Sequence, residues 1–159
     1  MQTYPTGYAQ SHRMAEHIFR DILPRRGMAV REEQIALCHE ILDTLYNKEI
    51  SLCEAGVGIG KTLAYLVACV LWQMNRPDRL KLPVVISTSS VVLQDAIIND
   101  YLPNLSAILL EEGIIQAPLT AVIRKGKERF VCDARLAERA SLVHPKRTRE
   151  KGSLRIAEN

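Results

Sequence analysis

The stretch Cys53-Glu54-Ala55-Gly56-Val57-Gly58-Ile59-Gly60-Lys61-Thr62 runs straight into Leu63-Ala64-Tyr65-Leu66. A short apolar run with Ile50 and Leu52 leads in, three alternate glycines follow, and a Lys-Thr pair opens an apolar pattern at helical spacing. That order reads as strand, phosphate loop, helix. The glycines let the backbone curl until several N–H groups point at one spot. Lys61 supplies a point charge for β- and γ-phosphates, and the Thr62 hydroxyl can ligate Mg²⁺. The helix that follows adds the positive end of its dipole. Ala55, Gly56, Val57, Gly58, Ile59, Gly60, Lys61 and Thr62 are therefore the expected nucleoside triphosphate site. A glycine-rich turn with an incidental lysine is the alternative; it leaves the alternation and the Lys-Thr pair unexplained.

Outward from the loop, apolar residues mark the flanking elements. Met14, Ala15, Ile18, Phe19, Ile22 and Leu23 recur at helical spacing, with Pro24 as the expected stop, and residues 1–11 read as polar and turn-rich. A second helix is expected from Glu32 to Tyr46, its apolar face carrying Ile35, Cys38, Ile41, Leu42 and Leu45. The helix from Lys61 should run to Met74 and stop before Pro77, apolar nearly all round as if buried between a sheet and another layer. Residues 82–88 and 119–123 are rich in β-branched residues and read as buried parallel strands. Between them a helix capped by Ser89 or Ser90 should stop before Pro103, followed by a further helical turn that ends at Gly113. A last helix begins near Phe130 or Val131. Strands alternating with helices predict an α/β fold, a parallel β-sheet flanked by helices with its ligand site at the carboxyl ends of the strands.

The length of 159 residues suits one domain with a proper core, and the net charge of +3 is small. No apolar run reaches the roughly 20 residues of a membrane span, and the N-terminus has no basic region followed by an apolar one, so a cytoplasmic location and no membrane partner are expected. Basic residues crowd residues 124–155, which suits a phosphate-backbone partner or a solvated basic face equally. The four cysteines (Cys38, Cys53, Cys69, Cys132) form no Cys-x-x-Cys pair, which argues against disulfides and a self-contained zinc site. The first three fall in apolar patterns, where a buried thiol is expected.

Four patches together resemble the N-terminal part of a superfamily-2 helicase of the XPD/DinG type, the iron–sulfur helicases. The first is Arg31-Glu32-Glu33-Gln34: in that family a glutamine in this setting recognises adenine, and a side-chain amide can donate and accept at once. A solvent-facing helix glutamine is the plainer reading. The second is the phosphate loop itself, similar even in Glu54 before it and Leu63 to Leu66 after it, although Val57 and Ile59 stand where the family usually has threonine. The third is Val84 to Asp95, where Ser87, Thr88, Ser89, Ser90 and Gln94 match a Ser-Thr-rich motif that touches the nucleic-acid backbone. An ordinary serine cap would also explain it. The fourth is Ala121 to Cys132, with Arg124, Lys125 and Lys127, resembling a Lys-Gly-Arg segment whose cysteine is the first of four ligands to a [4Fe–4S] cluster.

The resemblance covers roughly residues 18–142 and implies a P-loop NTPase (RecA-like) partial domain. Its expected division is an N-terminal extension over 1–29, a partial ATP-binding domain over 30–130, and the start of an iron–sulfur-type insertion with a basic tail over 131–159. It implies ATP and Mg²⁺ as cofactors, with Lys61 and Thr62 in the catalytic roles, Gln34 reading adenine, and single-stranded or forked DNA as partner in 5′→3′ translocation. A cluster held by Cys132 is expected only in a complete protein, since no later cysteine follows. No apolar strand ends in Asp-Glu, so the acidic pair that holds Mg²⁺ and positions water has no counterpart in these residues, nor does a second lobe with its arginine finger. The expectation is the front of a helicase (fragment, truncated product or split-protein piece lacking a C-terminal portion) that binds ATP with negligible turnover. A non-catalytic nucleotide- or DNA-binding remnant is the second reading. A small P-loop kinase is the third; it would need a lid of arginines that the chain does not place suitably.

Overall fold

Gly7 opens the first helix with left-handed backbone (φ 88°), and helix α1 (Tyr8–His17) follows it directly. In the computed structural model the described residues are 7–75, 82–126, 129 and 131–143, without the side chains of 141–143. Residues 8–11, expected to be turn-rich, are thus helical, because Ser11 has buried partners: it meets Tyr46 Oη at 2.8 Å, accepts from Asn75 Nδ2 at 2.8 Å and reaches the Leu71 carbonyl at 3.3 Å. A polar residue with that many partners belongs in a core.

The first helix stops at Arg25, one residue past the expected stop at Pro24, and passes through a wide turn on the way. A π turn, Ile18–Ile22, carries α1 into helix α2 (Leu23–Arg25), with the Leu23 N–H donating to the Ile18 carbonyl five residues back. Pro24 has no N–H to donate, and its ring crowds the carbonyl four residues earlier. A one-residue widening of the preceding turn relieves that conflict while the helix continues. The same device recurs where a stop before Pro103 is expected: the helix over Val91–Ala96 passes through a π turn into the segment that holds the proline.

Helix α3 (Glu32–Asn47) ends at Lys48, which takes the left-handed conformation (φ 59°), and helix α4 (Lys61–Met74) follows the loop. Helix α5 (Val91–Ala96) continues through the π turn Ile97–Tyr101 into helix α6 (Leu102–Glu111), the Leu102 N–H again donating five residues back, to Ile97. Gly113 (φ 69°) stops it, with the Ile114 N–H closing on the Leu109 carbonyl at 2.8 Å. The chain divides into two compact units, Met1–Ala121 and Val122–Asn159. In the second, helix α7 (Asp133–Val143) is exposed at residues 133–140. Phe130, Lys127, the linker at 76–81 with Pro77, and the basic tail at 144–159 lie outside the described residues.

The core of the first unit is helical. Ile18, Ile22, Leu42, Leu71, Leu105 and Leu109 are fully buried, and α4 packs against α1, α3 and the 97–101 turn. Its nearly all-round apolar surface is therefore covered by helices and not by a sheet.

The expected parallel β-sheet, and with it the sheet-based P-loop NTPase fold, is not found: the described residues contain helices and no strand. Residues 49–53, 82–88 and 119–123 form neither helix nor ladder. Ile50 (97% exposed), Leu52 (99%) and Val85 (85%) face solvent where burial was expected. A β-branched run sets only a local preference for extended backbone; a ladder needs a second backbone hydrogen-bonded alongside, and no such pairing is present among the described residues. Cys53 is likewise exposed against expectation, whereas Cys38 is buried and Cys69 partly so; all four cysteines are free thiols. Burial pushes the Cys38 thiol well up and that of Cys69 up to about 11. Among the described residues no helix is long and apolar enough to cross a membrane.

Candidate nucleotide site

The loop before α4 is shaped by two left-handed glycines, Gly58 and Gly60, each at φ 87°. Gly60 caps α4, and its carbonyl accepts from the N–H groups of Leu63 (3.1 Å) and Ala64 (3.2 Å). The N–H groups of Lys61 and Thr62, in the first turn, have no intrahelical acceptor and stand at the positive end of the helix dipole. Lys61 Nζ reaches back across the loop and donates to the carbonyls of Ala55 (2.8 Å) and Gly56 (3.0 Å). The ammonium thus ties the beginning of the loop to its end. Ala55, Ile59 and Gly60 are partly buried, whereas Gly56, Val57 and Gly58 are open to solvent.

The start of α3 holds the loop from the other side. Arg31, at the N-cap, donates Nη1 to the Gly58 carbonyl, and Gln34 donates Nε2 to the Gly60 carbonyl at 2.8 Å. Arg31, just outside the helix with extended backbone, and Gln34, in its first turn, thus each hold one of two alternate glycines. Gln34 is 6% exposed, and a Cβ on Gly60 would sit 2.1 Å from its Nε2. Positive φ favours glycine there, and any side chain would also have to displace the Gln34 amide. In the sequence Arg31 stands only as the setting of Gln34, and no spacing marks it as a second donor to the loop.

Thr62 is partly buried in the first turn of α4 and offers one hydroxyl. A hard cation takes about six oxygens, and no group of three or more His, Cys, Asp or Glu converges among the described residues. Thr62 therefore fits Mg²⁺ only as one ligand beside nucleotide oxygens and water. Asp43 and Asp100 sit in helical turns, and Asp43 is engaged by the Tyr8 hydroxyl at 2.5 Å.

The 87–90 segment is a separate junction. Ser87, Ser89 and Ser90 are exposed, Thr88 partly so. Ser90 caps α5 by accepting from the Leu93 N–H at 3.2 Å, and Thr88 Oγ1 accepts from the Ser90 N–H at 3.1 Å. Gln94 donates Nε2 to the Thr88 carbonyl at 3.3 Å, while its Oε1 is buried without a partner. In the second unit Arg124 is exposed and Lys125 partly so; Lys127 is outside the described residues. Cys132 is exposed, and with no cluster of three ligands among the described residues these cysteines do not fit a [4Fe–4S] cluster on their own.

With this geometry in place the chain can be set beside known proteins. It is 33% identical over 117 residues (74% of the chain) to the protein named 3'-5' exonuclease DinG of Bacillus subtilis strain 168. It is 35% identical over 63 residues (40% of the chain) to the probable ATP-dependent helicase YpvA of the same strain, and 29% identical over 92 residues (58% of the chain) to 3'-5' exonuclease DinG of Staphylococcus aureus strain USA300. The matched segment covers only 11%, 10% and 10% of those relatives. No family model matches the chain, and no solved structure matches it significantly. These relatives bear out the resemblance read from the motifs: the chain is related to a segment of the DinG-type helicases.

Proposed function

We propose that the chain is the ATP-binding segment of an ATP-dependent DNA helicase, holding Mg²⁺–ATP at 55–62 without efficient turnover of its own. The observation that carries this is the loop itself. Two left-handed glycines lead into a helix N-terminus, and the Lys61 ammonium lies across carbonyls it can exchange for phosphate oxygens. Arriving β- and γ-phosphates would draw Lys61 from Ala55 and Gly56, and charge-assisted bonds to phosphate are the stronger ones. The Gln34 amide has two N–H donors and one carbonyl; with one donor on Gly60, a donor and an acceptor remain for the adenine edge.

Hydrolysis relies on positioned charge, and the 159 residues contain no Asp-Glu pair. Turnover would therefore need residues from elsewhere. The Ser-Thr junction at 87–90, Gln94 and the basic residues Arg124, Lys125 and Lys127 are the proposed contacts to single-stranded or forked DNA. Part of the support is that relatives carry the printed names exonuclease and ATP-dependent helicase. A [4Fe–4S] cluster belongs to this reading only in a longer protein, with Cys132 as one ligand, and a cytoplasmic location goes with it.

Titration of the chain with a fluorescent ATP analogue and Mg²⁺, beside an ATPase assay with and without single-stranded DNA, tests the proposal. Saturable binding lost by at least tenfold in Lys61→Ala, with turnover near background, is the expected result. Robust DNA-stimulated turnover that Lys61→Ala abolishes would overturn the claim of inactivity. Absence of binding would overturn the site.

A further inference from the structure

Away from the loop, helices α1 and α3 meet through a line of titratable side chains that nucleotide binding does not use. His12 Nδ1 and His39 Nδ1 lie 2.6 Å apart, with ring planes 3° from parallel and centroids 4.7 Å apart. Face-to-face rings cannot approach closer than about 3.5 Å, so the two imidazoles lie side by side, edge to edge. The outer nitrogens face carboxylates: His39 Nε2 is 2.8 Å from Glu16 Oε1, and His12 Nε2, which is buried, is 3.1 Å from Asp43 Oδ1.

Count the protons this arrangement accepts. One proton can lie between the two Nδ1 atoms, donated by either ring to the lone pair of the other. His39 Nε2 needs a proton to bond the Glu16 carboxylate, and His12 Nε2 needs one to face Asp43. That makes three protons on two rings, one net positive charge. A fourth would set two N–H groups head to head across 2.6 Å and place two positive charges on adjoining rings.

We propose that His12 and His39 form an acid-opened latch between α1 and α3: the rings share one proton and admit one positive charge, and a second charge separates them.

The other groups around the pair do not relieve the conflict. On α1, Tyr8 donates to Asp43 and its ring lies 4.3 Å from that of His12. On the adjoining π turn, Arg20 binds Glu32 through both oxygens at 2.7 and 2.8 Å and also reaches Glu16, the carboxylate that His39 faces. On α3, Glu40 accepts from the Ser51 hydroxyl at 2.7 Å. Helix α4, also packed on α1, has no charged residue after Lys61. Burial first, then the neighbouring His39, holds the His12 pKa below its ordinary 6.5 against the pull of Asp43. The sign follows: with the folded value below the unfolded one, this stability is present above about pH 6.5 and is lost as pH falls from there. Glu16, held low by His39 and Arg20, loses its share only below its ordinary 4.5.

The test is urea unfolding of the whole chain at a series of pH values between about 7.5 and 5, for the wild type and for His39→Asn. The asparagine side chain can occupy the Nδ1 position and cannot titrate. In the wild type the folding constant should fall up to about tenfold per pH unit below pH 6.5, and in His39→Asn by clearly less, with His17 and His144 common to both. Parallel profiles would overturn the proposal. If His39→Asn does not fold, ¹⁵N-histidine spectra of the wild type decide. A shared Nδ1 proton and loss of α1 amide protection as the second ring charges is the expected result. Both rings reaching the imidazolium form with α1 still protected would sink it.

Discussion

Gly60 shows how much one missing methyl group holds in place. Its left-handed backbone (φ 87°) would strain any L side chain, and a Cβ, 2.1 Å from the Gln34 amide, would have to push that amide aside. Gly60→Ala should cost about 1–2 kcal/mol in backbone strain alone, and it must also expel Gln34 from the Gly60 carbonyl. The expected outcome is a lower urea midpoint together with weaker nucleotide binding. Gly58→Ala, at the same φ but with nothing within 4 Å, should show only the strain. Equal effects from both would remove Gln34 from the account. Lys61 and Gln34 were legible as residue types at a spacing. That Arg31 and Gln34 both grip glycine carbonyls was not, because the grip depends on where α3 lies against the loop.

At the scale of elements, the two π turns and the N-terminal helix were the surprises. Sequence rules stop a helix at proline because the regular i→i−4 ladder cannot pass it. A turn one residue wider can, and what favours continuing is the core on the far side: Leu23 beyond the first π turn, Leu105 and Leu109 beyond the second. Helix α1 begins at Tyr8 because Ser11 is fully buried between Tyr46 and Asn75, which no periodicity in a polar segment could reveal. Ser11→Ala leaves those two groups short of a partner and should destabilise the chain by about 1–3 kcal/mol, read as a shift in the urea midpoint at unchanged slope. A change within about 0.3 kcal/mol would show that the anchoring comes from apolar contact alone.

For the whole molecule, the consequence of the missing ladder is exposed apolar backbone. Ile50, Leu52 and Val85 lie open on segments that form no helix, and exposed apolar residues of this kind pair readily with other chains. The chain should therefore associate as its concentration rises, and Ile50→Lys with Val85→Lys should reverse this without lowering the unfolding midpoint, since neither side chain is in the core. Sedimentation velocity across a concentration series checks it; a wild type of constant mass would count against the exposed segments.

The sequence by itself determined where the helices α3 and α4 lie and where the loop before α4 curls. Those features depend on apolar spacing, glycine and helix ends within a few residues of one another. Only the tertiary structure decided that α4 is covered by helices and that the β-branched runs stay unpaired, since a ladder is a meeting of distant segments. It alone decided, too, that Arg31 and Gln34 hold the phosphate loop and that His12 finds His39. The loop that the sequence marked first is thus kept in shape from α3, by side-chain donors on the carbonyls of Gly58 and Gly60.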